Sequence, residues 1–277
     1  MIAEFIIGFR ETLEAALIVG IILAYLIKTK KERYNNIVYI GIGSAVIASI
    51  IGAFLFNALA GGFTGRAEQI FEGVSMLFAS LLITFMILWM LKQKHIVLDL
   101  HKKVDKEIDE GHRVGLFSLV FISVLREGIE TVIFLGAASF VSTENSIVGA
   151  ILGIIGAIVL GYFIFVGSKK INIKAFFNAT SVILVLFAAG LTAHGIHEFQ
   201  EAKILPTYVE HVWDINSEVN PDGTYPALHE NGYIGSILKG LLGYNGNPSL
   251  LEVISYIAYI VLVIILWRNI EAVHKVI

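Results

Sequence analysis

The 277-residue chain has no cysteine, only four prolines and few charges. Without cysteine there is no disulfide, no thiolate metal site and no cysteine nucleophile. The prolines (Pro206, Pro221, Pro226 and Pro248) all fall in one segment near the C-terminus, so the long apolar runs elsewhere contain no helix breaker. Charged residues make up 16% of the chain, where a soluble domain carries about a quarter. The net charge is −3, which offers no basic field for nucleic acid. What is abundant is apolar: 56% of the residues are hydrophobic, and runs of about 20 such residues are long enough to span a bilayer.

Seven runs reach that length, at roughly 2–27, 37–59, 68–91, 115–140, 146–167, 175–198 and 249–268. The first is read as a retained span rather than a signal peptide, because it lacks a basic start and carries Arg10, Glu11 and Glu14. The expected fold is all-α, a polytopic membrane protein with seven transmembrane helices in a single transmembrane domain, 1–277. Residues 199–248 form a polar loop before the last span, and 249–277 hold the seventh span and a tail.

Basic residues set the orientation. Lys28, Lys30, Lys31, Arg33, Lys92, Lys94, Lys102, Lys103, Lys106, Arg113, Lys169, Lys170, Lys174, Arg268 and Lys275 fall on one side, against Arg66, Lys203 and Lys239 on the other. The N-terminus is therefore expected outside, with the 199–248 loop, and the C-terminal tail in the cytoplasm. Trp89 and Trp267 then lie at inner ends of spans, where interfacial aromatics are common.

The string F-R-E-T-L-E at 9–14 returns as L-R-E-G-I-E at 125–130. The copies lie in the first and fourth spans, so they enter the membrane from opposite sides. Residues 1–91 and 115–198 are read as two three-helix repeats of inverted topology, a transporter plan with its site near the midplane. Glycines in the second and fifth spans (Gly41, Gly43, Gly52; Gly149, Gly153, Gly156, Gly161) read first as helix contacts. At 1.5 Å per residue, Arg10–Glu14 lie roughly 12–18 Å from the outer edge and Arg126–Glu130 roughly 15–21 Å from the inner edge. Both are near the middle of a hydrocarbon core of about 30 Å.

An ionised group at that depth costs about 2.5–3.5 kcal/mol on insertion scales. Arg10, Glu11, Glu14, Arg126, Glu127 and Glu130 are therefore expected to be paired, hydrated or metal-bound. In each copy the glutamates are i,i+3 and the arginine is i,i+4 from the second, so all three share a helix face. Each copy carries a surplus negative charge when ionised, which attracts a cation, while the arginines hold the carboxylates in its absence. Carboxylate oxygens suit hard cations and disfavour copper(I). Met86 and Met90, also i,i+4, read as packing rather than as a copper site.

A second group lies at outer span ends: Glu68 and Glu72, with His194, His197, Glu198 and Glu201. It reads as a funnel that concentrates cations, with Glu68 and Glu201 equally well plain solvated ends. Glu210, Asp214, Glu218, Asp222 and Glu230 read as loop charges. The stretch 92–113, with His95, His101 and His112, reads as a solvated helical loop.

With these residues in place, the chain resembles the oxidase-dependent iron permease family, whose bacterial members fall in the iron/lead transporter group. The family's Arg-Glu-Gly-Leu-Glu matches at Arg10, Glu11, Glu14 and at Arg126, Glu127, Glu130, with Thr12 and Ile129 as departures. F-E-G at 71–73, H-G-I-H-E-F-Q-E-A at 194–202 and G-Y-N-G-N-P-S at 243–249 extend the resemblance along the chain. It implies an iron permease of the cytoplasmic membrane, not an enzyme. No cofactor is implied, and iron, usually ferric, is the transported substrate. The metal residues would be Glu11, Glu14, Glu127, Glu130, Glu68, Glu72, His194, His197 and Glu198, with Arg10 and Arg126 as charge partners. It also implies an external oxidase or peroxidase-like partner, or a periplasmic iron-binding protein; an oligomer is compatible with it. The alternatives are lead, manganese or ferrous iron as the ion. A membrane di-iron enzyme is disfavoured because its Glu-x-x-His pairs are represented only by Glu271–His274 in the tail.

Overall fold

The structure is a computed structural model that describes residues 2–92, 100, 103–104, 106–107, 113–141, 146–166, 173–216, 219–220 and 224–276. All of its regular structure is helical: α1 (Ile2–Lys28), α2 (Asn35–Ala60), α3 (Arg66–Lys92), α4 (Arg113–Val141), α5 (Ser146–Val166), α6 (Ile173–Glu201), α7 (Tyr233–Leu242) and α8 (Leu250–Val276), with a 3₁₀ turn at Glu32–Tyr34. Each of the seven apolar runs begins within two residues of a helix start.

Among the described residues, five helices are long and apolar enough to cross a membrane: α2, α3, α5, α6 and α8. α1 and α4 have 27 and 29 residues, and the motif charges are what keep them out of this count. The outward faces of α2 and α5 are apolar and exposed, as at Ile47, Ile50 and Phe54 and at Leu152, Ile155 and Phe163. A contiguous apolar surface of that kind belongs against lipid, and the chain is a multi-pass membrane protein.

α1 packs chiefly on α5, α2 on α4 and α3 on α6, while α1 and α4 cross and α8 lies along α6. The α1–α5 crossing is close because a methyl on Gly153 would meet the backbone of Phe5 and Phe9, and one on Gly8 would lie 2.8 Å from the Ala150 carbonyl oxygen. The start of α1 is interior. Ala3 and Ile7 are buried in one core cluster with Met76 and Ile83 of α3, Phe134 of α4 and Leu191 of α6. A second cluster joins Ile22 and Leu26 of α1 to Val38 of α2 and to Val120 and Val124 of α4.

Two expectations need correction. The 199–248 segment is not simply a polar loop: it contains α7, which packs on α6 and touches α1 and α4. α7 ends on Gly243 in the left-handed conformation (φ 66°), and Gly243 meets Gly190 of α6 so closely that a Cβ on either would collide with the other's α-carbon. Within the 92–113 stretch, Leu100 and Val104 are buried in the second cluster, so this stretch is not wholly solvated. His95, His101 and His112 lie outside the described residues, as do Lys94, Lys102, Lys169, Lys170, Glu218 and Asp222.

Candidate metal site

α1 brings Arg10, Glu11 and Glu14 to its contact with α4, and α4 brings Arg126, Glu127 and Glu130. Glu11, Glu14 and Glu127 converge, so that one carboxylate oxygen from each lies within 4.8 Å of the others. Among the described residues this is the one group of three or more His, Asp or Glu side chains so placed. Glu11 is fully buried and Glu127 nearly so. Glu130 stands outside the group of three, tied to Arg126 Nε at 3.4 Å.

Arg10 is fully buried. Its Nη1 donates to Glu11 Oε1 at 2.8 Å and to Met86 Sδ at 2.8 Å. Its Nη2 lies 2.8 Å from Glu14 Oε1, an ion pair without hydrogen-bond geometry, and donates to Met90 Sδ at 3.3 Å. Arg126 is 43% exposed. Its Nη2 and Nε donate to Glu127 Oε1 at 2.6 and 3.1 Å, and its guanidinium lies over the Trp89 ring, 5.0 Å from the centroid. Glu11 Oε2, Glu127 Oε2 and Glu130 Oε2 are buried and have no hydrogen-bond partner. Buried polar atoms are almost always partnered, so the unpartnered oxygens of Glu11 and Glu127, both members of the converging group, mark acceptor capacity that a cation can use. The chemistry of the group is that of a hard-oxygen cation site.

The residues expected at outer span ends do not converge in this way. Glu68 Oε2 accepts from its own helix start, Gly65 N, at 3.2 Å. Glu72 and Glu198 are half-buried. His194 Nδ1 lies 3.0 Å from the Gly190 carbonyl oxygen. His197 reaches Glu201 Oε1 (3.2 Å) and the buried Glu252 Oε1 (3.0 Å). Glu252 is a residue that sequence reasoning missed. It accepts from Ser249 N at 2.9 Å, Glu252 N contacts Ser249 Oγ at 3.4 Å, and Asn245 Nδ2 donates to its other oxygen at 2.6 Å. Ser-Leu-Leu-Glu before an apolar run is a capping box, and that was the available signal. In the neighbouring loop, Glu230 is bound by Lys239 Nζ (2.6 Å), Asn216 and Gly246 N. Burial pushes its carboxyl up, and these donors outweigh it and hold the group below the usual carboxylate range. Met86 and Met90, read as packing, and Trp89, read as an interfacial aromatic, also stand against the two arginines.

Fold and site together define a multi-pass membrane protein whose interior gathers carboxylates from two crossing helices. The chain belongs to the iron permease FTR1 family, which matches it over residues 1–273. It is 34% identical over 272 residues to the ferrous iron permease EfeU of Yersinia pestis, covering 96% of this chain and 93% of that protein. With the protein of the same name from Escherichia coli O6:H1 it shares 33% over 267 residues, 94% of this chain and 93% of that one. The one from Shigella sonnei gives the same figures. No solved structure matches the chain. Family and apolar helices agree on iron transport by a transmembrane permease.

Proposed function

We propose that the chain imports ferrous iron across the cytoplasmic membrane through the site made by Glu11, Glu14 and Glu127, with Glu130 beside it. The observation that carries this is the convergence of three carboxylates within 4.8 Å, those of Glu11 and Glu127 buried and that of Glu14 half-buried, in a chain of an iron permease family. The resemblance seen in the sequence implied ferric ion; ferrous is preferred here on two grounds. The relatives are named ferrous iron permeases. The two motifs, with four glutamates and two arginines, also carry −2 when ionised, which a divalent ion cancels and a trivalent ion overshoots. Net charge in a low-dielectric interior is costly.

The wider architecture follows the same reading. α1–α3 and α4–α6 act as two inverted halves with α8 added, and α1 and α4 count as the sixth and seventh spans. In support, exchanging α1, α2, α3 for α4, α5, α6 leaves the main packing partners unchanged: α1 on α5 becomes α4 on α2, while α3 on α6 and α1 on α4 map onto themselves. The basic residues favour an N-terminus outside. Glu68, Glu72, His194, His197 and Glu198 collect the ion at the outer face, and rocking of the halves passes it inward. A supplying oxidase or periplasmic iron-binding protein would meet the outer surface around α7.

Uptake into proteoliposomes tests this, offering ferrous iron under reductant, ferric citrate, manganese and lead to wild type, Glu14→Ala and Glu127→Ala. Ferrous flux lost in both variants, with both inserted normally, is the expected result. Normal flux in both sinks the site, and flux of lead or manganese alone moves the substrate.

A further inference from the structure

We propose that Met86 and Met90 lend their thioether sulfurs to the seat that the Arg10 guanidinium fills, and that they tilt this site toward ferrous iron over harder divalent ions such as manganese. The inference rests on the reading of Glu11, Glu14 and Glu127 as the transport site.

Each terminal nitrogen of Arg10 sits between one carboxylate of α1 and one sulfur of α3. Nη1 has Glu11 Oε1 and Met86 Sδ, both at 2.8 Å, and Nη2 has Glu14 Oε1 at 2.8 Å and Met90 Sδ at 3.3 Å. A cation in place of those nitrogens is therefore faced by two carboxylate oxygens and two sulfurs, with Glu127 completing the group of three carboxylates. The distribution of partners is unlike that of a structural ion pair. A thioether is a weak acceptor, yet two of them take donors from a buried guanidinium while Glu11 Oε2, Glu127 Oε2 and Glu130 Oε2 take none. The i,i+4 spacing puts both sulfurs on one face of α3. Filling that face does not require sulfur, since leucine has nearly the same volume. What sulfur adds is polarisable electron density, and softer ligands favour later transition ions over those that carboxylates alone suit. Arg10 has to swing off this seat before an ion settles, because two cations cannot share one low-dielectric position, but it stays on α1 and keeps its charge within the pair of motifs. In that sense the guanidinium holds the place of the cargo.

The experiment uses the full-length protein, as wild type and as Met86→Leu, Met90→Leu and the double variant. X-ray absorption at the iron edge of ferrous-loaded, reduced protein reads the ligand shell, and competing ferrous and manganese uptake in proteoliposomes reads preference. A sulfur shell is expected in wild type and absent in the double variant. The iron-to-manganese uptake ratio is expected to fall about tenfold, the size of effect seen when a metal's surroundings are altered. Iron bound in an all-oxygen shell, or an unchanged ratio in an inserted double variant, overturns the thioether role and leaves the permease standing. Wild type that neither binds nor moves iron overturns both. If the double variant does not insert, the wild-type spectrum still decides.

Discussion

The two Arg-Glu-x-x-Glu copies have the same charges at the same spacing and sit in different surroundings. On α1, Arg10 is fully buried and braced by sulfur from α3, with both of its glutamates within 2.8 Å. On α4, Arg126 is half exposed, lies over the Trp89 indole and grips Glu127 more tightly than Glu130. The last turns of α3 thus serve both copies, presenting sulfurs to one arginine and an aromatic face to the other. A duplicated motif need not make two equal half-sites: here one copy supplies two of the converging carboxylates and the other supplies one. On the proposed reading, the α1 copy is the seat and the α4 copy its movable wall.

The glutamates break this comparison most sharply. Glu11→Gln, Glu14→Gln and Glu127→Gln are each expected to lower ferrous uptake by about 100-fold or more, since losing a ligand should exceed the 10–100-fold cost of altering a ligand's support. Glu130→Gln should cost only about tenfold on the same scale; equal losses at all four positions would restore the symmetry that the geometry denies.

The arginines come next, read by thermal unfolding in lipid or detergent. Arg10→Ala leaves buried carboxylates without their counter-charge and should destabilise by about 3–5 kcal/mol. Arg126→Ala also strips a buried carboxylate, Glu127, of its donors, but at a site open to water from the arginine's side, and should cost less, about 1–3 kcal/mol. A reversal of that order would mean that burial does not govern the pair. The smallest effect is expected from Trp89→Leu, which removes a cation–π contact worth about 0.5–1 kcal/mol at a partly exposed site. It should act on Arg126 alone, so that in an Arg126→Ala background it adds only its packing loss, which a double-mutant cycle measures.

Much of this was legible in the sequence because single strong signals carried it. Uninterrupted apolar runs located seven helices to within two residues at their starts, and a repeated string of charges located the two copies. The rest depends on how helices rotate and cross. Spacing along α4 makes Glu127 and Glu130 equivalent, and only the crossing with α1 separates them. Met86 and Met90 look like packing until Arg10 arrives opposite. α7 was hidden by its ten-residue length and by two glycines, Gly235 and Gly240, in a proline-bearing segment. Glu252 was missed, although the Ser249 capping box announced it.

The meeting of Gly190 and Gly243 implies an order of events during synthesis. α1 to α6 leave the ribosome before residue 233 does, so the helices that receive α7 are made before their occupant. Seating then requires only two bare α-carbons to come together, after which Ser249 Oγ donates to Gln200 Oε1 at 2.7 Å and latches the start of α8 onto α6. A methyl at either glycine would leave every long helix free to insert and would retard this last closure. The result would be a full-length protein whose α7 segment matures late and stays open to protease.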